Sequence, residues 1–273
     1  MIRLAIRVRR EDAELVLAEL LELAPSGVEE ATLDDGAVEY AVYGSPGELP
    51  TLPDLRAAAG GALVAISTSE VADDWSERWR EFHRPLVLGD RLTVRPPWIE
   101  AGSTGVDVVI DPGQAFGTGA HATTRLCLEL LLALADSGPG RGSFVDVGCG
   151  SGVLAITAAL LGFHPVTALD IERASVEATL SNAERNGVVV GTRRFDLRSE
   201  QVPPASVVAA NVLAPPLLGW AASERGQWPT RLILSGILAT EADAVALAFA
   251  ERSLIERERR TRAEWAALLL ESR

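Results

Sequence analysis

The chain has 273 residues, 48% of them apolar and 23% charged, which is enough apolar material for the cores of two domains. No apolar run reaches the roughly 20 residues of a membrane-spanning helix, the N-terminus lacks the apolar stretch of a signal peptide, and the two cysteines give no disulfide framework, so we expect a cytoplasmic protein. All 25 basic residues are arginine and the net charge is −13.

The acidity is concentrated in residues 1–72, which hold 13 Asp and Glu against 5 Arg, a net charge of −8. An acidic surface repels phosphates and attracts basic partners, so this region is not expected to bind naked nucleic acid. Two interpretations remain open, a solvated acidic surface and a docking face for a basic protein.

The first 72 residues predict a small α+β domain. Strand patterns at 2–8, 27–33, 37–43 and 62–70 alternate with helix patterns at 11–24 and 54–59, and the turn 34–36 (Asp-Asp-Gly) indicates a hairpin. This β-α-β-β-α-β order is typical of a ferredoxin-like domain.

A linker is predicted over residues 73–91, and 73–82 within it has the pattern of an amphipathic helix. Trp75 and Trp79 are four residues apart and therefore share a face of that helix. The pair is expected to seal the linker against one domain; a peptide-binding aromatic pair is the alternative.

Residues 92–273 predict an α/β domain with a mostly parallel seven-stranded sheet, because strand and helix patterns alternate along them. The final two strands have no helix between them and should form an antiparallel hairpin at the sheet edge. Val176, Leu180 and Ala183 are expected to line the inner face of one helix, with Gly187 at its C-terminal cap. The strand patterns fall at 143–148, 165–171, 191–195, 207–212, 231–236, 254–261 and 265–271, and the helix patterns at 121–136, 151–162, 173–186, 214–222 and 240–252.

A glycine-rich turn in residues 144–156 (FVDVGCGSGVLAI) follows a β-branched strand and opens a helix. Glycines let the backbone turn sharply and let a ligand approach closely. The spacing is G-x-G-x-G rather than the G-x-G-x-x-G of dinucleotide sites, and it resembles motif I of class I methyltransferases that use S-adenosylmethionine (AdoMet). Gly148 and Gly150 are thus candidate cofactor contacts, and Asp146 could steer the ligand's charged amino-acid end. Cys149 is expected to be a small turn residue rather than a reactive thiol.

Polar residues at two further strand ends complete the candidate site. Asp170 lies 22 residues after Gly148 and could accept hydrogen bonds from both ribose hydroxyls, with Ile171 beside it and Glu172 assisting. Asn211 ends the fourth strand, where its side chain could accept hydrogen bonds from a substrate amine. It is the candidate catalytic residue.

The string 111–124 (DPGQAFGTGAHATT) is a long, specific loop of the kind that often carries function. Phe116, Gly117 and Thr118 within it are candidate cofactor contacts, and Thr123 or Thr124 is expected to cap the following helix. His121 could be a base or a structural hydrogen-bonding residue.

These strings together with 181–187 (SNAERNG), 211–214 (NVLA) and 234–238 (LSGIL) closely resemble the bacterial ribosomal protein L11 methyltransferase (PrmA) family. The resemblance is strong over about residues 73–240 and holds only in outline for the N-terminal domain. Two departures are Glu172 in place of the family's usual Asp and a short stretch over 214–231.

The resemblance implies that the N-terminal domain docks a ribosomal protein and that the C-terminal domain methylates its α-amine and lysine ε-amines, with AdoMet as cofactor and no metal. The family's AdoMet-contact positions fall on Thr124, Gly148, Asp170 and Asn211. A monomer is expected, with a basic large-subunit ribosomal protein as partner and no membrane or direct nucleic-acid binding. For the Arg-rich run 256–262, a solvated face is favoured over a contact with ribosomal RNA.

Rival interpretations are a nicotinamide dehydrogenase, which the glycine spacing disfavours, and a non-catalytic AdoMet-binding ribosome-associated factor. A methyltransferase of another protein or of a nucleic-acid amine also remains open, although Asn211 is followed by Val-Leu-Ala rather than the Pro-Pro-aromatic of adenine and glutamine methyltransferases.

Overall fold

The computed structural model describes residues 2–13, 16–17, 20, 29–33, 37–44, 55, 59–70, 85–102, 105–111, 121–136, 141–223 and 227–273. Two compact units divide the chain, Met1–Phe82 and His83–Arg273. Among the helices described, none is both long enough and apolar enough to cross a membrane.

The N-terminal unit contains an antiparallel sheet in the order β2-β3-β1-β4, made of β1 (Ile2–Val8), β2 (Glu29–Thr32), β3 (Val38–Gly44) and β4 (Leu63–Glu70). Side chains alternate between the two faces of a strand, so one face carries the apolar set. That face packs against helical residues that precede β2 and follow β3 in the sequence. The core comprises Leu4, Ile6, Val8, Ala13, Val16, Leu20, Val38, Tyr40, Leu55, Ala59 and Ala62. Strand order and helical segments agree with the ferredoxin-like prediction.

Parts of the prediction lie outside the described residues: the hairpin turn 34–36, the loop 45–53, and the linker helix with Trp75 and Trp79.

The C-terminal unit is built on a seven-stranded sheet in the order β10-β9-β8-β11-β12-β14-β13. Pairing is parallel from β10 to β12, and β14 runs antiparallel to both β12 and the edge strand β13. The mostly parallel sheet and the edge hairpin are therefore confirmed. The strands are β8 (Phe144–Val147), β9 (Val166–Asp170), β10 (Gly191–Arg194), β11 (Val207–Asn211), β12 (Arg231–Leu238), β13 (Leu254–Arg262) and β14 (Trp265–Ser272).

In the described part of this unit, five helices cover the two faces of the sheet, as a parallel sheet requires. They are α1 (Ala122–Asp136), α2 (Val153–Leu160), α3 (Arg173–Arg185), α4 (Ala214–Ala222) and α5 (Ala242–Ala250). Residues of α1, α2 and α3 share one apolar cluster with one face of the sheet, and residues of α4 and α5 share a second cluster with the other face. All five lie where the sequence predicts helices.

Helix α3 corrects the prediction of its inner face. Ala183 is buried, but Leu180 is 48% exposed and Val176 only half-buried. The buried positions are mainly polar, at Ser175, Thr179 and Asn182. Periodicity finds an apolar face and so selected the wrong side of a helix whose inward face is hydrophilic.

A three-stranded sheet was missed by the sequence reading. It consists of β5 (Leu86–Leu88), β6 (Leu92–Arg95) and β7 (Val106–Val109), with β5 antiparallel and β7 parallel to β6. Its apolar residues belong to the same cluster as α1 and α2. Its strands are separated by loops without helix patterns, so they lack the strand–helix alternation that identifies the larger sheet.

Candidate functional site

The glycine-rich turn lies at the carboxyl end of β8, where parallel α/β sheets bind ligands. The backbone N–H groups of Gly148 and Cys149 both donate to the carbonyl of Leu169 on the neighbouring strand, at 2.8 and 3.0 Å. Gly148, Gly150 and Gly152 all have positive φ, at 74°, 53° and 83°. The turn is therefore fixed to β9 by its own backbone.

Asp170 ends β9 beside that turn and is only 9% exposed. Its Oδ2 accepts a hydrogen bond from the N–H of Gly150 at 2.9 Å, and its Oδ1 accepts one from the N–H of Glu172 at 2.9 Å. Each carboxylate oxygen retains a further lone pair. Asp170 thus joins the two strand ends and can still accept hydrogen bonds from a ligand's hydroxyl groups.

A cavity of about 430 Å³ opens at these strand ends. Four predicted cofactor contacts line it, Gly148, Gly150, Asp170 and Ile171, together with Glu172. The volume is within the usual range of small-molecule sites. Apolar side chains beside a carboxylate suit a ligand that combines a flat ring with hydroxyl groups, as a nucleoside does.

Residues after β10 form another wall of the cavity and were not predicted. Phe195, Asp196, Leu197 and Arg198 all line it. The Asp196 carboxylate accepts from the Nε and Nη2 of Arg198, both at 3.0 Å, and these contacts hold the pKa of Asp196 below its usual range. An acid directly after a predicted strand was the available signal, since Asp170 was recognised in the same way.

Asp146 lies beneath the turn, is completely buried, and is not part of the cavity wall. Its Oδ2 accepts from the N–H of Ala155 in the first turn of α2 at 3.1 Å, and its Oδ1 has no hydrogen-bond partner among the described residues. Burial, reinforced by the nearby charge of Asp170, raises the pKa of Asp146 to about 7.

Asn211 ends β11, and its Nδ2 lies 3.5 Å from the Oγ1 of Thr124 on α1. The structure therefore brings together two predicted positions that are 87 residues apart in the sequence. Thr124 is buried, and within the part of the chain described the Oδ1 of Asn211 is buried without a partner. A buried acceptor of this kind is costly unless a ligand satisfies it.

Val212 connects Asn211 to the cavity, which it lines. A Cβ on Gly148 would lie 2.5 Å from Val212 Cγ1, and a Cβ on Gly236 of β12 would lie 2.6 Å from the Val212 carbonyl oxygen. Gly236 also has a φ of 81°. Gly148 thus lies against the Val212 side chain and Gly236 against its backbone, and this clamp fixes the position of Asn211 before it.

Three other predictions concern the start of α1 and the residues before it. Helix α1 begins at Ala122, so the cap predicted at Thr123 or Thr124 is wrong; His121 precedes the helix, and its Nδ1 lies 2.7 Å from Thr123 Oγ1. The ring of His121 packs edge-on against Trp265 at 5.0 Å. Phe116, Gly117 and Thr118 lie outside the described residues.

Both thiols are free and buried. Burial raises the pKa of Cys127 to about 12 and raises that of Cys149 further, so both stay protonated and unreactive at neutral pH.

Comparisons with known proteins agree with this geometry. A family model described as ribosomal protein L11 methyltransferase (PrmA) matches residues 54–273. A ribosomal protein L11 methyltransferase of Geobacter sp. (strain M21) is 40% identical over 207 residues, which are 72% of this chain and 66% of that protein. One of Syntrophotalea carbinolica is 39% identical over 229 residues, 80% of this chain and 71% of that protein.

Among solved structures, the crystal structure of a ribosomal protein L11 methylase from Lactobacillus delbrueckii subsp. bulgaricus has a TM-score of 0.59 and 28% identity. That match covers 70% of this chain and all of the other. The sequence matches span about two-thirds of the length of the curated relatives.

Proposed function

This chain belongs to the ribosomal protein L11 methyltransferase family, and from that premise we propose that it transfers methyl groups from AdoMet to amino groups of a large-subunit ribosomal protein. The observation that carries the proposal is the buried Oδ1 of Asn211, which has no hydrogen-bond partner among the described residues and lies one residue before the cavity-lining Val212.

AdoMet is the methyl donor of this family, and the residues around the cavity fit it. Asp170 would accept hydrogen bonds from the two ribose hydroxyls, and Ile171 and Leu197 would pack on the faces of the adenine ring. The turn at Gly148 and Gly150 leaves room for the amino-acid end. AdoMet supplies a methyl group activated on a sulfonium sulfur, so the chemistry that remains for the protein is positioning and desolvation.

Asn211 is the residue that would orient the substrate amine. A lysine amine has an ordinary pKa of about 10.4, so it must lose a proton before its lone pair can attack. The Asn211 Oδ1 can accept a hydrogen bond from the neutral amine while Thr124 fixes the amide from the other end. Alignment of this kind can supply roughly 7–11 kcal/mol of barrier reduction.

The N-terminal unit would hold the protein substrate. Ribosomal proteins are generally basic, and residues 1–72 carry a net charge of −8 from 13 acidic and 5 basic residues. Lysine and N-terminal amines are the proposed targets, and since a ribosomal protein is made and assembled in the cytoplasm, we place the enzyme there, as a monomer.

The decisive experiment incubates the full chain and isotope-labelled AdoMet with ribosomal proteins from cells lacking this enzyme, then maps the label by mass spectrometry. We expect label on lysine or N-terminal amines of one large-subunit protein. Binding of AdoMet by calorimetry without any labelled protein would contradict the proposed activity.

Two variants separate the proposed roles. Asn211→Ala should lower kcat about 100-fold, the effect of losing alignment, with AdoMet affinity changed less than about threefold. Asp170→Ala should weaken AdoMet binding roughly 10- to 100-fold, the effect of losing charged hydrogen bonds. Unchanged kcat in N211A would remove Asn211 from the mechanism.

A further inference from the structure

The buried face of helix α3 carries the polar residues Ser175, Thr179 and Asn182, and Asn186, the residue that follows the helix, continues their heptad-like spacing. The first three are at most 5% exposed. Polar side chains are buried only when they have partners, so a polar face on an inward helix requires a structural or functional reason.

The C-terminal half of this face forms hydrogen bonds with the backbone at and just after the end of β7, where a neighbouring strand would otherwise pair. Asn186 accepts from the Val109 N–H at 2.8 Å and donates to the Val109 carbonyl at 2.7 Å. Asn182 accepts from the Asp111 N–H at 3.0 Å and approaches its carbonyl at 3.5 Å. Residues i and i+4 of a helix are separated by about 6 Å and residues i and i+2 of a strand by about 6.6 Å, so the spacings match.

The N-terminal half of the face holds the glycine-rich turn. Thr179 donates to the Gly150 carbonyl at 3.1 Å, and the Nδ2 of Asn182 donates to the Ser151 carbonyl at 2.9 Å. Gly150 is the residue whose N–H binds Asp170, and it lines the cavity.

Asn182 therefore has contacts in both directions, whereas the side chain of Asn186 bonds to the Val109 backbone and to the Asn182 carbonyl of α3. The amide of Asn182 has one favourable orientation, because carbonyl oxygens lie at its nitrogen and an N–H group lies at its oxygen. A rigid, buried side chain joins the turn under the cofactor cavity to Asp111, the residue from which the chain enters the string 111–124.

We infer that Asn182 is a positioning residue for the methyl donor: it sets the glycine-rich turn against the end of β7, and AdoMet affinity depends on this bridge. The inference rests on the proposed function only in taking AdoMet as the ligand. Asn182 acts through the Ser151 and Asp111 backbone and does not line the cavity.

The test compares Asn182→Ala with Asn186→Ala in the full chain, measuring the AdoMet Kd by calorimetry and the unfolding midpoint by circular dichroism. Both variants remove hydrogen bonds to the backbone at or just after the end of β7, at Asp111 or Val109, and should lower the midpoint similarly. Only N182A should weaken AdoMet binding, by about tenfold, against less than twofold for N186A.

A third variant, Asn182→Asp, keeps the volume and the acceptor for the Asp111 N–H but replaces the donor to the Ser151 carbonyl. It should also weaken AdoMet binding at least tenfold. The inference can therefore be tested with N182D if N182A does not fold. Equal AdoMet affinities in N182A and N186A, or wild-type affinity in N182D, would overturn it. Absence of AdoMet binding by the unaltered chain would instead count against the proposed function.

Discussion

Helices α2 and α3 flank the same glycine-rich turn and bury opposite kinds of side chain. Five of the six buried residues of α2 are apolar, and its Thr157 is satisfied within the helix by the Val153 carbonyl. Helix α3 buries Ser175, Thr179 and Asn182 with a single alanine. Apolar burial is non-directional and stabilises the fold, whereas hydrogen bonds are directional and set distances. One helix provides stability beside the site and the other provides geometry.

The largest expected effect is on the apolar helix. Ile156→Ala removes a completely buried side chain from α2 and should cost roughly 2–5 kcal/mol of unfolding free energy. The AdoMet Kd of the remaining folded protein should change less than threefold. Urea denaturation measures the unfolding free energy and calorimetry measures the AdoMet Kd. A large loss of AdoMet affinity with a small loss of stability would contradict the assignment of stability to α2 and of site geometry to α3.

The second-largest effect is expected at Asp146, the buried acid that accepts a hydrogen bond from the first turn of α2. Because the pKa of Asp146 is raised from 3.8 to about 7, the folded state keeps a proton that the unfolded state loses between those values. Stability from this group therefore falls as pH rises and is lowest above pH 7.

Asp146→Asn removes this titration while its amide oxygen can still accept from Ala155. Between pH 5 and pH 8, the unfolding free energy of the variant should rise by about 3 kcal/mol relative to that of the unaltered chain. Urea unfolding at several pH values tests this, and parallel profiles would mean that Asp146 titrates at its ordinary pKa.

The substitution Thr179→Val tests the comparison of the two helices from α3, because it makes the buried face of that helix more apolar. The volume is nearly kept, but the Gly150 carbonyl loses its hydroxyl donor, which should cost about 1 kcal/mol. AdoMet should bind two- to fivefold more weakly. A variant that is more stable and binds AdoMet normally would show that the hydroxyl does not position the turn.

The smallest effect is expected at Leu180, which periodicity placed on the inner face. Since it is 48% exposed, Leu180→Ala should change the unfolding free energy by less than about 0.5 kcal/mol. Thermal denaturation beside Ile156→Ala measures this. A loss near that of I156A would restore the predicted face.

Most of the fold could be predicted because strand and helix patterns alternate regularly along the C-terminal domain. The strands leading to Asp146, Asp170 and Asn211 are apolar runs bounded by clear turns, and Gly187 marks the end of α3 with a φ of 65°. The three-stranded sheet could not be found this way, since the Val109 backbone of β7 bonds to the side chain of Asn186, the residue after α3, and the Asp111 N–H beyond β7 bonds to Asn182 of α3.

The candidate site was predictable where a residue type has few alternatives at its position. An acid after β9 and an asparagine after β11 fall at the ligand-binding edge of any parallel sheet, and the cavity lies there. The Asp146 environment was not predictable, because its burial depends on α1 and α2 packing over the strand. The bridging role of Asn182 depends equally on tertiary contacts, and a helical asparagine in sequence reads as a solvent-facing residue.

The clamp on Val212 has an evolutionary consequence. At Gly236 any other amino acid adds a Cβ that collides with the Val212 backbone, so a saturation library at this position should return only glycine. Leu213 and Leu238 nearby are 64% and 37% exposed and can vary. Substitutions should therefore accumulate at those leucines, while Gly236 and the spacing of the two strand ends stay constant.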